Sequence, residues 1–163
     1  MYAGWKKLLK VPDEYERLLE TASLLHDIGI TINYYSHARH SSYMIQNANL
    51  FGLNHEEQAI TSAIAGWHNG ISKYYFRDKF YKEMIDEAAW PNITKLACIL
   101  TIAECLDITE TNSITDVKAS LAKGKALLTV YTNGSATLEL QLIQNHLNWF
   151  KKTFGVPLII DVQ

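Results

Sequence analysis

The sequence predicts an α+β fold, a mainly α-helical bundle followed by a small ββαβ appendage. Three observations predict it. Apolar residues recur at helical spacing through the first two thirds of the chain, from Leu18 onward. Past Ser113 the period changes to two, with Val117, Ala119 and Leu121 alternating with Asp116, Lys118 and Ser120. Helical spacing then returns once, in Leu138, Leu142, Ile143, Leu147 and Phe150, before a closing apolar run over 158–162. This places a boundary near residue 112, with a helical domain over 1–112 and a small α/β subdomain over 113–163.

Taken in order, Pro12 and Asp13 mark a helix start, and Leu18, Leu19, Ala22 and Leu25 form its stripe, which ends near Gly29. A polar stretch over 31–36 leads to a second helix carrying Tyr43, Met44 and Ile45 and stopping before Gly52. Asn54-His55-Glu56-Glu57 has the pattern of a capping box: Asn54 can accept from first-turn amides while Glu57 reaches back. A helix through about Trp67 follows. The segment 73–89 predicts another helix, and Pro91 sits where a first-turn proline belongs. The stretch 95–108 reads as the most apolar helix. In the tail, the chain turns around Gly124 between two strands, Asn133-Gly134 marks a second turn, and a helix ending near Gly155 leads to the last strand.

The chain has 163 residues, 48% hydrophobic and 20% charged, the balance of a globular domain that buries a real core. Its net charge of −2 provides no overall field for nucleic acid, so any anion binding must be local. Charge runs such as Lys6/Lys7/Lys10, Lys73/Arg77/Lys79/Lys82 and Lys151/Lys152 mostly read as solvated faces. No stretch reaches the ~20 apolar residues of a membrane span, and the N-terminus lacks a signal peptide's apolar core. A cytoplasmic protein is expected. Cys98 and Cys105, on one apolar helical stretch, read as buried free thiols.

Chemistry concentrates at the histidines. His26, His37, His40 and His68 fall near expected helix ends, where side chains converge on a cleft, and Asp27 adjoins His26. Imidazole nitrogens with carboxylate oxygens suit divalent ions such as Zn, Mn or Fe, and Mg where oxygen dominates. The bland reading of His26 and Asp27 is a satisfied buried polar pair. His37 reads as an exposed helix-start residue, His55 and His146 receive no role, and Trp67, Trp90, Tyr43 and Phe150 read as packing. Tyr34, Tyr35, Tyr74 and Tyr75, beside Lys73 and Arg77, suit a partner surface if exposed.

The string Ala22-Ser23-Leu24-Leu25-His26-Asp27-Ile28-Gly29 resembles the signature of the HD phosphohydrolase superfamily, and Ile99 to Asp107 resembles its later helix with the final aspartate. A narrower resemblance runs through Ile32-Asn33-Tyr34, Ser36-His37-Ala38-Arg39-His40-Ser41-Ser42-Tyr43, Leu50-Phe51-Gly52-Leu53, Glu56-Glu57 and Trp67-His68 into the ββαβ tail. Over nearly the whole chain it is similar to the C-terminal HD domain of the exopolyphosphatase and guanosine-pentaphosphate phosphohydrolase (Ppx/GppA) family.

The resemblance implies an HD-type bundle, its first helix truncated here. It implies a parent in which N-terminal actin-like phosphatase domains hydrolyse polyphosphate or guanosine pentaphosphate while the HD domain extends the anion path and helps form a homodimer. It implies a divalent metal (Mg, Mn, Zn or Fe) on His26, Asp27 and Asp107, with His40 and His68 as further ligands. Apart from the resemblance, the basic residues Arg39, Lys73 and Arg77 are the expected local anion contacts. This chain departs from the pattern: no histidine precedes His26, and Thr101, Glu104 and Ile108 stand where the family has arginine, aspartate and arginine. No P-loop or GxGxxG is present. The leading expectation is an accessory domain inactive by itself. The alternatives are a free-standing metal-dependent phosphohydrolase and a vestigial HD interaction module.

Overall fold

A computed structural model describes residues 1–70 and 78–163. The fold is α+β, helical first and then a three-stranded sheet. Its contacts divide the chain into two compact units, Pro12–Leu100 and Met1–Val11 with Thr101–Gln163. The expected boundary near residue 112 thus lies inside the unit that joins Met1–Val11 to Thr101–Gln163.

The first unit, Pro12–Leu100, contains α2 (Glu14–Leu25), a 3₁₀ turn (Ile28–Thr31), α3 (His37–Asn47), α4 (His55–Gly66), α5 (Lys79–Met84) and the start of α6 (Trp90–Asp107). Leu18, Leu19 and Ala22 of α2 are buried, as their spacing requires. The capping box at α4 forms in full: the Asn54 side chain accepts from the Glu57 amide at 2.9 Å, and the Glu57 carboxylate accepts from the Asn54 amide at 2.9 Å. The buried α4 face meets α2 and α3. At its end Trp67 is fully buried against Trp90, with ring centroids 5.4 Å apart. Tyr81 of α5 is buried too, and its hydroxyl is satisfied by Ser42 Oγ at 2.7 Å and Ser62 Oγ at 3.0 Å. The helix expected over 73–89 is shorter where described, covering Lys79–Met84 before a 3₁₀ turn at Glu87–Ala89. Residues 73–77 lie outside the described residues. As the apolar stretch predicts, α6 buries residues on every side, Ile93, Leu96, Cys98, Ile99 and Leu100 among them.

The second unit holds α1 (Tyr2–Leu9), the end of α6, β1 (Ile114–Ala122), β2 (Lys125–Thr132), α7 (Thr137–Phe154) and β3 (Leu158–Val162). β1 and β2 form an antiparallel hairpin, and α7 carries the chain across to β3, which pairs parallel with β2. The two-residue turn, Lys123 and Gly124, has φ of 49° and 72°, the left-handed pair that tight hairpins demand. Ala126, Leu128 and Val130 of central β2 alternate into the core with Ile143 and Phe150 of α7. In β1, Val117 and Ala119 are half-buried while Leu121, expected on the same face, is exposed near the hairpin tip.

No sequence pattern announced α1. It belongs to this unit because Trp5 is fully buried, donates its indole N–H to the Ser120 carbonyl at 3.0 Å, and meets Phe150 edge-on at 5.3 Å. No helix among the described residues is long and apolar enough to cross a membrane.

Candidate functional site

Three helix ends of the Pro12–Leu100 unit supply the site. His26 caps the C-terminus of α2, and Asp27 opens the 3₁₀ turn that follows. His37 is the first residue of α3, and His68 lies just beyond the end of α4. The turn can approach α3 only because residue 29 is glycine. A Cβ there would lie 2.3 Å from both the His37 carbonyl oxygen and the Ser41 amide nitrogen. The Gly29 amide instead donates to the buried Ser41 Oγ at 2.9 Å, which pins the turn and holds Asp27 beside His37.

Each imidazole is oriented the same way. Nδ1 of His26 meets the Ser23 carbonyl at 2.7 Å, Nδ1 of His37 the Tyr34 carbonyl at 3.0 Å, and Nδ1 of His68 the Ala65 carbonyl at 2.6 Å. A carbonyl only accepts, so these contacts assign the N–H to Nδ1 in all three rings and leave Nε2 a lone pair in the neutral form. The Nε2 atoms converge. His37 Nε2 lies 3.0 Å from His68 Nε2 and 3.1 Å from Asp27 Oδ1. Asp27 Oδ1 is 3.6 Å from His68 Nε2, and Asp27 Oδ2 is 3.6 Å from His26 Nε2. The His26 and His68 rings stack edge-on at 5.0 Å. Asn69 Nδ2 lies 3.1 Å from His37 Nε2, in keeping with an acceptor there.

Burial grades across the cluster. The His68 side chain is 0% exposed and the Asp27 side chain 40%, so the cleft has a closed back and an open front. Asp27 Oδ1 itself is buried and makes no hydrogen bond of acceptable geometry. Asp27, His37 and His68 can each offer one ligand atom within 4.8 Å of the others. The negative ends of the α2 and α4 dipoles, where His26 and His68 sit, also favour a cation.

The structure thus brings together His26, Asp27 and His68 of the residues singled out from sequence, and adds His37, which sequence reasoning left as an exposed helix start. His40, one turn further along α3, is half-buried beside Gly29 and lines a different groove. That groove, of 430 Å³, also takes Arg39, Tyr35, Tyr43 and Tyr81 in its wall. Asp107 ends α6 in the other unit, where it lines a groove of 290 Å³ with Met1, Leu106 and Val117. Lys73 and Arg77, with Tyr74 and Tyr75, lie outside the described residues. Tyr34 and Tyr35 are exposed.

The thiols take no part. Cys98 and Cys105 are free and buried; burial raises both pKa values, that of Cys105 to about 11 with Glu104 adding to the rise. Thiols so protonated at neutral pH are poor nucleophiles.

Comparison with known families decides the kinship of this architecture. Residues 2–149 match the model of Ppx/GppA phosphatase, domain III. The chain belongs to the Ppx/GppA phosphatase family. Within that family it is similar to the guanosine-5′-triphosphate,3′-diphosphate pyrophosphatase of Pseudoalteromonas translucida (strain TAC 125), with 33% identity over 60 residues. The alignment covers 36% of this chain and 12% of that protein. The Ppx/GppA resemblance read from the His26-Asp27 signature and the segments after it is therefore a family relationship.

Proposed function

We propose that this chain acts as the accessory HD-type domain of a hydrolase of phosphoric anhydrides and does not turn over substrate by itself. The observation that carries this reading is the match to one domain of a Ppx/GppA phosphatase, domain III, over most of the chain. In this reading, actin-like phosphatase domains supply hydrolysis of polyphosphate or guanosine pentaphosphate, in a cytoplasmic homodimer, and this domain lengthens the path along which the anion is held. The name of the Pseudoalteromonas relative, a pyrophosphatase of a guanosine polyphosphate, supports that substrate class.

The cleft fits a divalent cation. Its donors are imidazole nitrogens and a carboxylate, the Asp27 Oδ1 atom is buried without a hydrogen bond, and one side is open. His26, Asp27, His37 and His68 would hold the ion. When bound, it supplies a fixed positive charge that attracts phosphate oxygens. Asp27 contributes one negative charge and the neutral imidazoles none, so a divalent ion keeps a net positive charge of about one. The carbonyls behind each ring hold the tautomers, and the closed back at His68 excludes water from that side. Arg39, in the neighbouring groove, adds a positive charge beside the path of an anionic chain.

The convergence of the histidines favours a second reading, a metal-dependent phosphohydrolase in its own right. Incubating the chain with polyphosphate, guanosine pentaphosphate and model phosphoesters in the presence of Mg²⁺ or Mn²⁺ separates the two. The accessory reading expects no phosphate release. Metal-dependent release that disappears in Asp27→Ala establishes the second reading in its place.

A further inference from the structure

We infer that the groove between α3 and α5 is a binding site for a nucleotide, its base stacked on exposed tyrosine and its phosphate held by Arg39. The groove lies wholly within the Pro12–Leu100 unit. Among the described residues it shares no lining side chain with the histidine cleft, and nothing in it requires an ion there.

Helical spacing builds one wall. Ser36, Arg39, Tyr43 and Gln46 recur three or four positions apart, so they line up along one face of α3 and its start. Tyr81 of α5 forms the back. It is buried, and its hydroxyl is tied to Ser42 Oγ at 2.7 Å and Ser62 Oγ at 3.0 Å, so this wall is fixed before any ligand arrives. At the mouth the rings are open: Tyr35 is 81% exposed and Tyr43, read from the sequence as packing, is 62% exposed. A single exposed ring is ordinary. Three tyrosines and a guanidinium around one groove of 430 Å³ make a recognition surface.

The lining sets the chemistry of the ligand. Among the described residues no carboxylate opposes Arg39 in the groove wall, so the groove accepts an anion. An inorganic polyanion would use that charge and leave the tyrosine faces idle. A neutral sugar would use the faces and leave the charge idle. A nucleotide uses both, because its phosphate oxygens accept from the guanidinium fork while its base stacks on a phenol ring. Ser36, His40 and Gln46 add hydrogen-bonding groups for the ribose and the base edge. The volume falls within the range of about 300–1,000 Å³ that small-molecule sites occupy.

Calorimetric titration of the whole chain with ATP, GTP and inorganic tripolyphosphate, all in EDTA, tests this. The three probes carry the same phosphate chain, so their difference isolates the nucleoside. At least one nucleotide is expected to bind about fivefold or more tightly than tripolyphosphate. A Tyr35→Ala, Tyr43→Ala double variant is expected to lose that preference, and Arg39→Ala to weaken all three probes, with thermal melts confirming that the variants are folded. Should a variant misfold, ring proton shifts of the parent decide: those of Tyr35 or Tyr43 move upfield with the nucleotide and stay in place with tripolyphosphate. Equal affinity for all three probes, a preference that persists in the folded double variant, or nucleotide binding that leaves both rings unmoved overturns the inference. So does a parent that binds none of the probes at millimolar concentration.

Discussion

Nε2 of His37 and Nε2 of His68 face each other at 3.0 Å, from side chains 31 positions apart in the chain. That contact joins the start of α3 to the end of α4 and defines the cleft. It also fixes what can be measured without any ligand. In the metal-free chain near neutral pH, two-bond ¹H–¹⁵N correlation spectra are expected to show His26, His37 and His68 as the Nδ1–H tautomer, against the Nε2–H form that free imidazole side chains favour. Three rings in the Nε2–H form would contradict the orientation described for the cleft.

Gly29 sets the approach of the 3₁₀ turn to α3. Gly29→Ala places a methyl group 2.3 Å from two backbone atoms, neither able to yield as a side-chain end would. We expect a loss of stability of about 1–3 kcal/mol or more from overpacking, together with loss of ion binding. Urea unfolding of the variant beside the parent checks the first, and a variant of parental stability would argue against so close a contact.

Acid should weaken the second unit through Glu139. This side chain is buried, and its pKa is lowered chiefly by the Thr109 hydroxyl, then by a backbone amide and by Ser113, with burial opposing. A carboxyl whose folded pKa is depressed stabilises the fold above its unfolded pKa of about 4.3. That contribution is lost as pH falls through the depressed folded value. Glu139→Gln is therefore expected to lower stability at neutral pH and to lose less than the parent on acidification. Urea midpoints at neutral and acidic pH measure both.

Trp5 should anchor α1 to the tail. Trp5→Ala removes a fully buried indole and leaves the Ser120 carbonyl without its donor, so a loss of about 3–5 kcal/mol is expected. A chain that tolerates the change would show that α1 is dispensable to the unit. Likewise, Cys98 and Cys105 should resist alkylation in the native chain and react once it is unfolded, since burial holds both thiols protonated.

The sequence carried the helices and strands well where one periodicity dominated. The Leu18, Leu19 and Ala22 stripe, the Asn54 capping box and the alternation in β2 each express a local rule that the fold obeys. α1 was not legible, because its buried Trp5 is satisfied by Ser120 and Phe150, residues more than a hundred positions away, and the short segment has no side-chain cap at its start to mark it. The same distinction governs the site. His26 and Asp27 stand in a contiguous signature, and His68 follows a predicted helix. His37 and His40 are three residues apart on one helix, and spacing alone gives no preference between them. The deciding fact is where α3 begins. The sequence offered one signal for it: Ser36 precedes His37 as a capping residue type, although its side chain makes no cap hydrogen bond and its φ is 60°.

Equilibrium dialysis of the purified chain against zinc, followed by elemental analysis, tests the cleft most directly. One bound ion per chain is expected, falling to none in an Asp27→Ala, His68→Ala double variant that remains folded. A parent chain that retains no zinc, or a double variant that retains as much as the parent, would contradict the assignment of these helix ends as a metal site.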